Sequence, residues 1–119
     1  MHELSVAQSL IDHIARSVPQ RDLPKIMSVC VRLGAVSGVV KDSLEFSFTA
    51  LTAGTTLENV RMEFEERPYV VHCRSCDSRT SNDLGIAVCE ACGSTETTVE
   101  SGTELDIVYL ELNDESDSP

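Results

Sequence analysis

At 119 residues the chain has room for one compact unit, or for a small domain carrying a smaller metal-held module. Apolar residues make up 41% and aromatics only 4%, with no Trp, so a core must be built from Leu, Val, Ile and Ala. No apolar run approaches the roughly 20 residues needed to cross a bilayer, and a formal charge of -11 opposes binding to a phosphate backbone and favours protein partners or cations.

Residues 3–18 place Leu4, Ala7, Leu10, Ile11, Ile14, Ala15 and Val18 at helical spacing, and Pro19 stops the pattern. Residues 19–25 read as loop. Residues 26–33 alternate, with Met27, Val29, Val31 and Leu33 on one face and Ser28, Cys30 and Arg32 on the other, which predicts a strand. Gly34 to Gly38 form a loop of small residues. Asp42-Ser43-Leu44-Glu45 reads as an acidic N-cap opening a second helix. That helix carries Leu44, Phe48 and Leu51 on one stripe, with Phe46 and Ala50 beside it, and Gly54 is placed to end it. Residues 58–66 alternate again, with Val60, Met62 and Phe64 inward. Strand, helix and strand make a crossover unit, so the two strands should be parallel neighbours. Residues 103–112 complete the sheet, with apolar side chains on both faces, which predicts a strand covered on much of both.

Between the last two strands lie Cys73-x2-Cys76 and Cys89-x2-Cys92, twelve residues apart. Each Cys-x-x-Cys turn lets two thiolates reach one ion, and two such turns complete a tetrahedral thiolate shell suited to zinc. A closed shell of this kind explains how a small module folds and leaves no position open for chemistry. Disulfides are seldom presented as two adjacent turns of this type, and a redox Cys-x-x-Cys is single. Only Arg74 and Arg79 are basic within the segment, which speaks against a nucleic-acid ribbon. His72 precedes Cys73 and could act beside the ligands; His13 reads as a helix-surface residue, and Cys30 as a half-buried strand residue.

The expected fold is therefore α+β: a small three-stranded mixed sheet with two helices, interrupted by a four-cysteine zinc-ribbon-like module. Residues 1–67 with 102–112 form the α/β domain, 68–101 the zinc module, and 113–119 an acidic disordered tail. An interrupted domain also makes exchange of a module between chains, and hence a homodimer, feasible. Retained thiols and no basic, apolar leader point to the cytoplasm. No Ser/His/Asp set, P-loop or nucleotide fingerprint is present, so catalysis is not expected.

His2 stands beside the chain's first residue. An amine, a backbone amide and an imidazole within two residues offer nitrogen donors suited to Ni(II) or Cu(II). The alternative is an idle terminal histidine. Met1-His2-Glu3-Leu4-Ser5 opening an amphipathic helix, the strand-helix-strand unit, the Arg32–Val39 segment and the double Cys-x-x-Cys together resemble the HypA/HybF family of hydrogenase nickel-insertion proteins. The resemblance covers residues 1–112. It implies a nickel metallochaperone that binds Ni(II) through His2, with Glu3 contributing, and holds structural zinc on Cys73, Cys76, Cys89 and Cys92. It also implies a HypB-type GTPase partner and delivery to the [NiFe]-hydrogenase large subunit precursor, or toward urease. Asp42, near the start of the second helix, is a further ligand candidate in competition with its capping role. The alternative reading is a zinc-stabilised adapter in metalloenzyme assembly that binds no nickel itself.

Overall fold

The computed structural model describes residues 2–113; the acidic segment expected to be disordered, apart from Asn113, lies outside the described residues. The chain separates into two compact units. One comprises the chain up to Val31, Val39–Phe64 and the chain from Ile107 on; the other comprises Arg32–Gly38 and Glu65–Asp106.

In the first unit, α1 spans Glu3–Ser17 and buries Val6, Ala7, Leu10 and Ile14. The seam is narrower than the apolar pattern suggested. Leu4 is 56% exposed and Ala15 faces solvent, whereas Val6 joins the core. The stretch read as a loop is a 3-10 turn, Gln20–Lys25, short enough to tolerate Pro24. Strand β1, Ile26–Gly34, is buried at Ile26 and at Ser28 through Val31, so its two faces are both covered and the expected one-sided alternation does not hold. Its place explains this: the sheet order is β2-β1-β6, with β1 in the middle.

Helix α2 spans Lys41–Thr52 and buries Leu44, Phe48 and Thr52. Thr52 fits in a core because its hydroxyl donates to the Phe48 carbonyl at 2.8 Å. Two expectations fail here. Asp42 is not the N-cap; Val40 is, and Asp42 sits inside the first turn. Phe46, placed beside the apolar stripe, is 76% exposed. Gly54 does follow the helix end, with φ +79, the left-handed conformation that lets a helix terminate.

Strand β2 spans Arg61–Arg67 and β6 spans Leu105–Leu112. Beside β1, Ile26 and Arg61 line one hollow, and further along the Ala35 N–H donates to the Arg67 carbonyl at 2.8 Å. Those two strands therefore run the same way, as the crossover required. Strand β6 runs the opposite way, because the Asn113 N–H reaches the Lys25 carbonyl while the Gly34 N–H reaches Glu104, both at 2.8 Å. The sheet is mixed. As an edge strand β6 is not covered on both faces: none of its residues is fully buried, and Tyr109 is 50% exposed.

The second unit holds a three-stranded antiparallel sheet in the order β4-β3-β5, with β3 Val70–Cys73, β4 Arg79–Ser81 and β5 Thr97–Ser101. Val71, fully buried, pairs with Thr80 on one side and Val99 on the other. Gly34 and Gly102 pass close together: a Cβ on Gly34 would lie 2.2 Å from the Gly102 carbonyl.

Candidate metal centre

Two turns of the same design bring the four cysteines together. In the first, the Asp77 N–H donates to the Cys73 carbonyl at 2.9 Å and the Cys73 N–H to the Ser78 carbonyl at 2.9 Å. In the second, the Gly93 N–H donates to the Cys89 carbonyl at 2.8 Å and the Cys89 N–H to the Ser94 carbonyl at 2.9 Å. Both turns close through a left-handed residue, Asp77 at φ 64 and Gly93 at φ 78. The internal repeat is legible as Cys76-Asp77-Ser78 against Cys92-Gly93-Ser94. Gly93 announces its turn; Asp77 hides the same geometry behind a side chain that tolerates it.

Each turn aims backbone N–H groups at sulfur. Ser75 and Cys76 donate to the Cys73 sulfur at 3.3 and 3.4 Å. Cys76 and Ala91–Cys92 neighbours act alike: Ser78 stabilises the Cys76 thiolate, and the Cys92 and Ala91 N–H groups stabilise that of Cys89. Sulfur meets sulfur at 3.6 Å for Cys73–Cys92 and 3.6 Å for Cys76–Cys89, and all four lie within 4.8 Å of one another. A tetrahedral ion with metal–sulfur bonds of about 2.3 Å needs sulfurs about 3.8 Å apart, so the set fits such an ion closely. The electrostatics agree. Backbone donors lower the pKa of Cys73 and Cys89, and the Ser78 donors that of Cys76. Ser94 does the same for Cys92, yet the Cys73 sulfur, burial and the other two sulfurs push that thiol up to about 12. Four thiolates cannot share this volume without a cation between them. Cys73 and Cys89 are buried and Cys76 and Cys92 exposed, so an ion here would be held from inside and capped from the surface.

His72 stands outside this shell. Its Nε2 lies 2.6 Å from the Asp77 carboxylate, whose pKa is lowered by that bond. It therefore braces the first turn. Its partner could not be named from spacing, since it is the left-handed residue itself.

The N-terminal candidates are arranged differently. His2 is exposed, with extended backbone at φ -89 and ψ 121, and its carbonyl accepts from the Val6 N–H at 3.1 Å to begin α1. Glu3 turns back from the first turn of α1, and its Oε2 accepts from the Val40 N–H at 3.0 Å. That bond, followed by the Glu3 N–H, holds the carboxyl below its usual range. The Val40 amide is an orphan donor at the start of α2, so Glu3 caps a helix other than its own. The first turns of α1 and α2 are thus fastened together, with Asp42 two residues past the bond and exposed. Among the described residues only the four cysteines form a group of three or more His, Cys, Asp or Glu ligands; His2, Glu3 and Asp42 are not drawn into one cluster. The other sequence candidates stay apart as well. Cys30 is buried rather than half-buried, and His13 is exposed, 3.5 Å from the Ser17 hydroxyl.

Comparison with known proteins follows this geometry closely. The family model for hydrogenase/urease nickel incorporation, the metallochaperone HypA, matches residues 1–112. The hydrogenase maturation factor HypA of Roseiflexus sp. is 37% identical over 117 residues, covering 98% of this chain and 95% of the relative. That of Solidesulfovibrio magneticus is 39% identical over 116 residues, covering 94% and 99%. Among solved structures, the Ni metallochaperone HypA from Helicobacter pylori superimposes with a TM-score of 0.64 at 25% identity, covering 94% of this chain and 97% of that one. A second HypA solution structure gives 0.68 at 26%, covering 97% and 98%.

Proposed function

The chain belongs to the HypA family of nickel-incorporation metallochaperones for hydrogenase maturation, and on that premise we propose that it takes up Ni(II) at His2 and Glu3 while zinc on Cys73, Cys76, Cys89 and Cys92 holds the second unit. The observation that carries this division is the contrast between the sites. The four sulfurs form a closed shell braced by backbone donors on both sides. His2 is exposed at the head of a helix, with the Glu3 backbone beside it. Zinc suits the first, because it takes four thiolates without preference for an open position. Nickel suits the second, because nitrogen donors at a chain end can assemble and release a cargo ion without opening a core.

In this reading the His2 imidazole and backbone nitrogens of the N-terminal residues bind the ion, and Glu3 acts through its backbone. Its carboxylate is committed to Val40, where it fixes the direction in which α1 leaves the site. Zinc supplies no reaction; it fixes the turns that carry Cys73 and Cys89. The imidazole and amide donors must lose protons to bind, so nickel affinity falls as pH drops. Delivery takes place in the cytoplasm, to the [NiFe]-hydrogenase large subunit precursor or toward urease, with a HypB-type GTPase supplying the nucleotide hydrolysis. The nickel unit is 1–67 with 102–112, and the zinc module 68–101. No helix among the described residues is long and apolar enough to cross a membrane.

A second reading is a zinc-stabilised adapter that binds no nickel. What favours it is that the Glu3 carboxylate is occupied and that, among the described residues, His2 belongs to no group of three or more ligands. Metal analysis and Ni(II) titration of tag-free protein, wild type against His2→Ala, decide between them. One zinc per chain in both proteins, with tight nickel in the wild type alone, supports the metallochaperone reading. Equal and weak nickel binding by both sinks it in favour of the adapter.

A further inference from the structure

Strand β2 is an outer strand of its sheet, in the order β2-β1-β6, so one of its edges has no partner strand. The Arg67 carbonyl faces β1, where it accepts from the Ala35 N–H at 2.8 Å. Backbone groups alternate in direction along a strand. Glu65, Glu63 and Arg61 therefore face β1 as well, and Met62 and Phe64 turn their N–H and C=O groups to the open side. A hollow of about 350 Å³ lies there, lined by Glu45, Phe48, Val60, Arg61, Met62 and Glu63 among others, with no residue of β1 in its wall. Successive strand residues point to opposite faces, so a hollow that touches Arg61, Met62 and Glu63 in turn runs along the edge of β2. Phe48 of α2, with Val60 and Met62, gives it a buried apolar floor. All of these lining residues belong to the first unit.

An open edge is a template for a further strand. A second copy of this chain is a poor candidate for it. Strand β2 reads Arg61-Met62-Glu63-Phe64-Glu65-Glu66-Arg67, so pairing two such edges would set carboxylates against carboxylates. The charge at the hollow points to a different occupant. Glu45 and Glu63 make no ion pair or hydrogen bond among the described residues, and together they outweigh Arg61 on the rim. On a protein of net charge -11 that rim favours a basic ligand. We propose that the open edge of β2 at Met62–Phe64 takes up an extended segment of a partner protein as an added strand, one in which apolar and basic residues alternate. Met62 and Phe64 supply the main-chain hydrogen bonds, and the hollow selects the side chains. Side chains of paired strands meet on the same face. The apolar residues of the segment therefore lie over Phe48 and Met62, and its lysines or arginines lie beside Glu63. The site uses neither His2 nor the four cysteines.

The test follows the backbone amide signals of the full chain by NMR while a capped hexapeptide of alternating Lys and Val is added. The Met62 and Phe64 amides should shift saturably, and their exchange with deuterium should slow severalfold. The same peptide N-methylated at every residue keeps its side chains and loses its backbone donors, and it should not bind. Replacing each Lys of the peptide by Glu should weaken binding by an order of magnitude at about 20 mM salt and by much less at about 0.5 M salt. Glu63→Gln should weaken binding of the Lys peptide severalfold at the lower salt, whereas Glu90→Gln, in the other unit, should not. No saturable shift at Met62 and Phe64 would overturn the proposal. So would equal binding of the N-methylated peptide, which would leave the strand edge without a role. Equal binding of the Lys and Glu peptides at low salt, or indifference to Glu63→Gln, would overturn the choice of a basic segment and the proposal with it.

Discussion

The Glu3 carboxylate caps the Val40 amide across 37 residues of sequence, at 3.0 Å. The residue beside His2, the proposed nickel ligand, therefore also holds the start of the second helix. Glu3→Gln keeps an oxygen acceptor and should preserve the link; Glu3→Ala should release it. Amide hydrogen exchange at Val40 is expected to speed up severalfold in the Ala variant alone. The carboxyl is held below its usual range, so the charged bond is complete above about pH 4.3 and weakens as pH falls through the lowered value. A Val40 amide signal that ignores both the substitution and acid would refute the link.

Removing the metal should dissolve one unit and spare the other. Structural zinc in small thiolate sites contributes on the order of 10 kcal/mol to folding. Without a cation the sulfurs meet in two pairs at 3.6 Å, Cys73 with Cys92 and Cys76 with Cys89, with nothing to offset their charge. A strong chelator, or Cys89→Ser, is expected to abolish the dispersed amide signals of β3, β4 and β5 while the α1 and α2 signals persist. The core around α1 and α2, with Leu10, Ile14, Leu44 and Phe48, includes none of the four clustered cysteines. Loss of helical signal in parallel with the metal would show instead that the two units fold as one.

Local chemistry made the four-cysteine cluster and the helices readable, because spacing alone decides whether two thiolates can share an ion and which residues share a helix face. Long-range neighbours decided the rest. The alternation in 26–33 hid a central strand, since only the flanking β2 and β6 reveal that Ser28 and Cys30 are covered too. Ser28 reads as a solvent-facing residue until the Glu111 carboxylate, 83 positions away, accepts from its hydroxyl at 3.2 Å. Asp42 looked like a cap because Asp usually is one, but the helix begins two residues earlier, where the Leu44 N–H already donates to the Val40 carbonyl at 2.9 Å. The short strands β3 to β5 carry too few residues for periodicity to show, and they exist because the turns at Cys73 and Cys89 align them.

Gly102 should be far less replaceable than Gly38. Its φ is +113, and a Cβ there would lie 2.5 Å from the Tyr69 Cα, a backbone atom that cannot swing aside. Gly38 shares the left-handed strain at φ +84 but has nothing within 4 Å. Gly38→Ala is expected to cost about 1 kcal/mol from conformation alone. Gly102→Ala adds a steric conflict and should cost roughly 3 kcal/mol or more, read from urea denaturation of the two variants. Equal costs would mean that the Tyr69 contact relaxes freely.

Acid should weaken the protein partly through Glu65. Its carboxylate accepts from Arg32 Nε at 3.0 Å and meets Arg67 at 2.7 Å. The Arg32 hydrogen bond, opposed by partial desolvation and helped by both guanidinium charges, lowers its pKa. For a carboxyl with a lowered folded value, the unfolded chain takes up the proton first as pH falls. The stabilisation is therefore whole above the ordinary carboxylate value of about 4.3 and drains away below it, until the folded form protonates too. The pH dependence of this cluster therefore follows the Glu65 carboxyl. Glu65→Gln should cost little at acid pH, more at neutral pH, and flatten the acid limb of a stability–pH curve. The group is partly exposed, so added salt should shrink the neutral-pH difference as well. Thermal melts of both proteins between pH 3 and 7 check this: a constant offset across the range would leave Arg32 and Arg67 without any electrostatic hold on that residue.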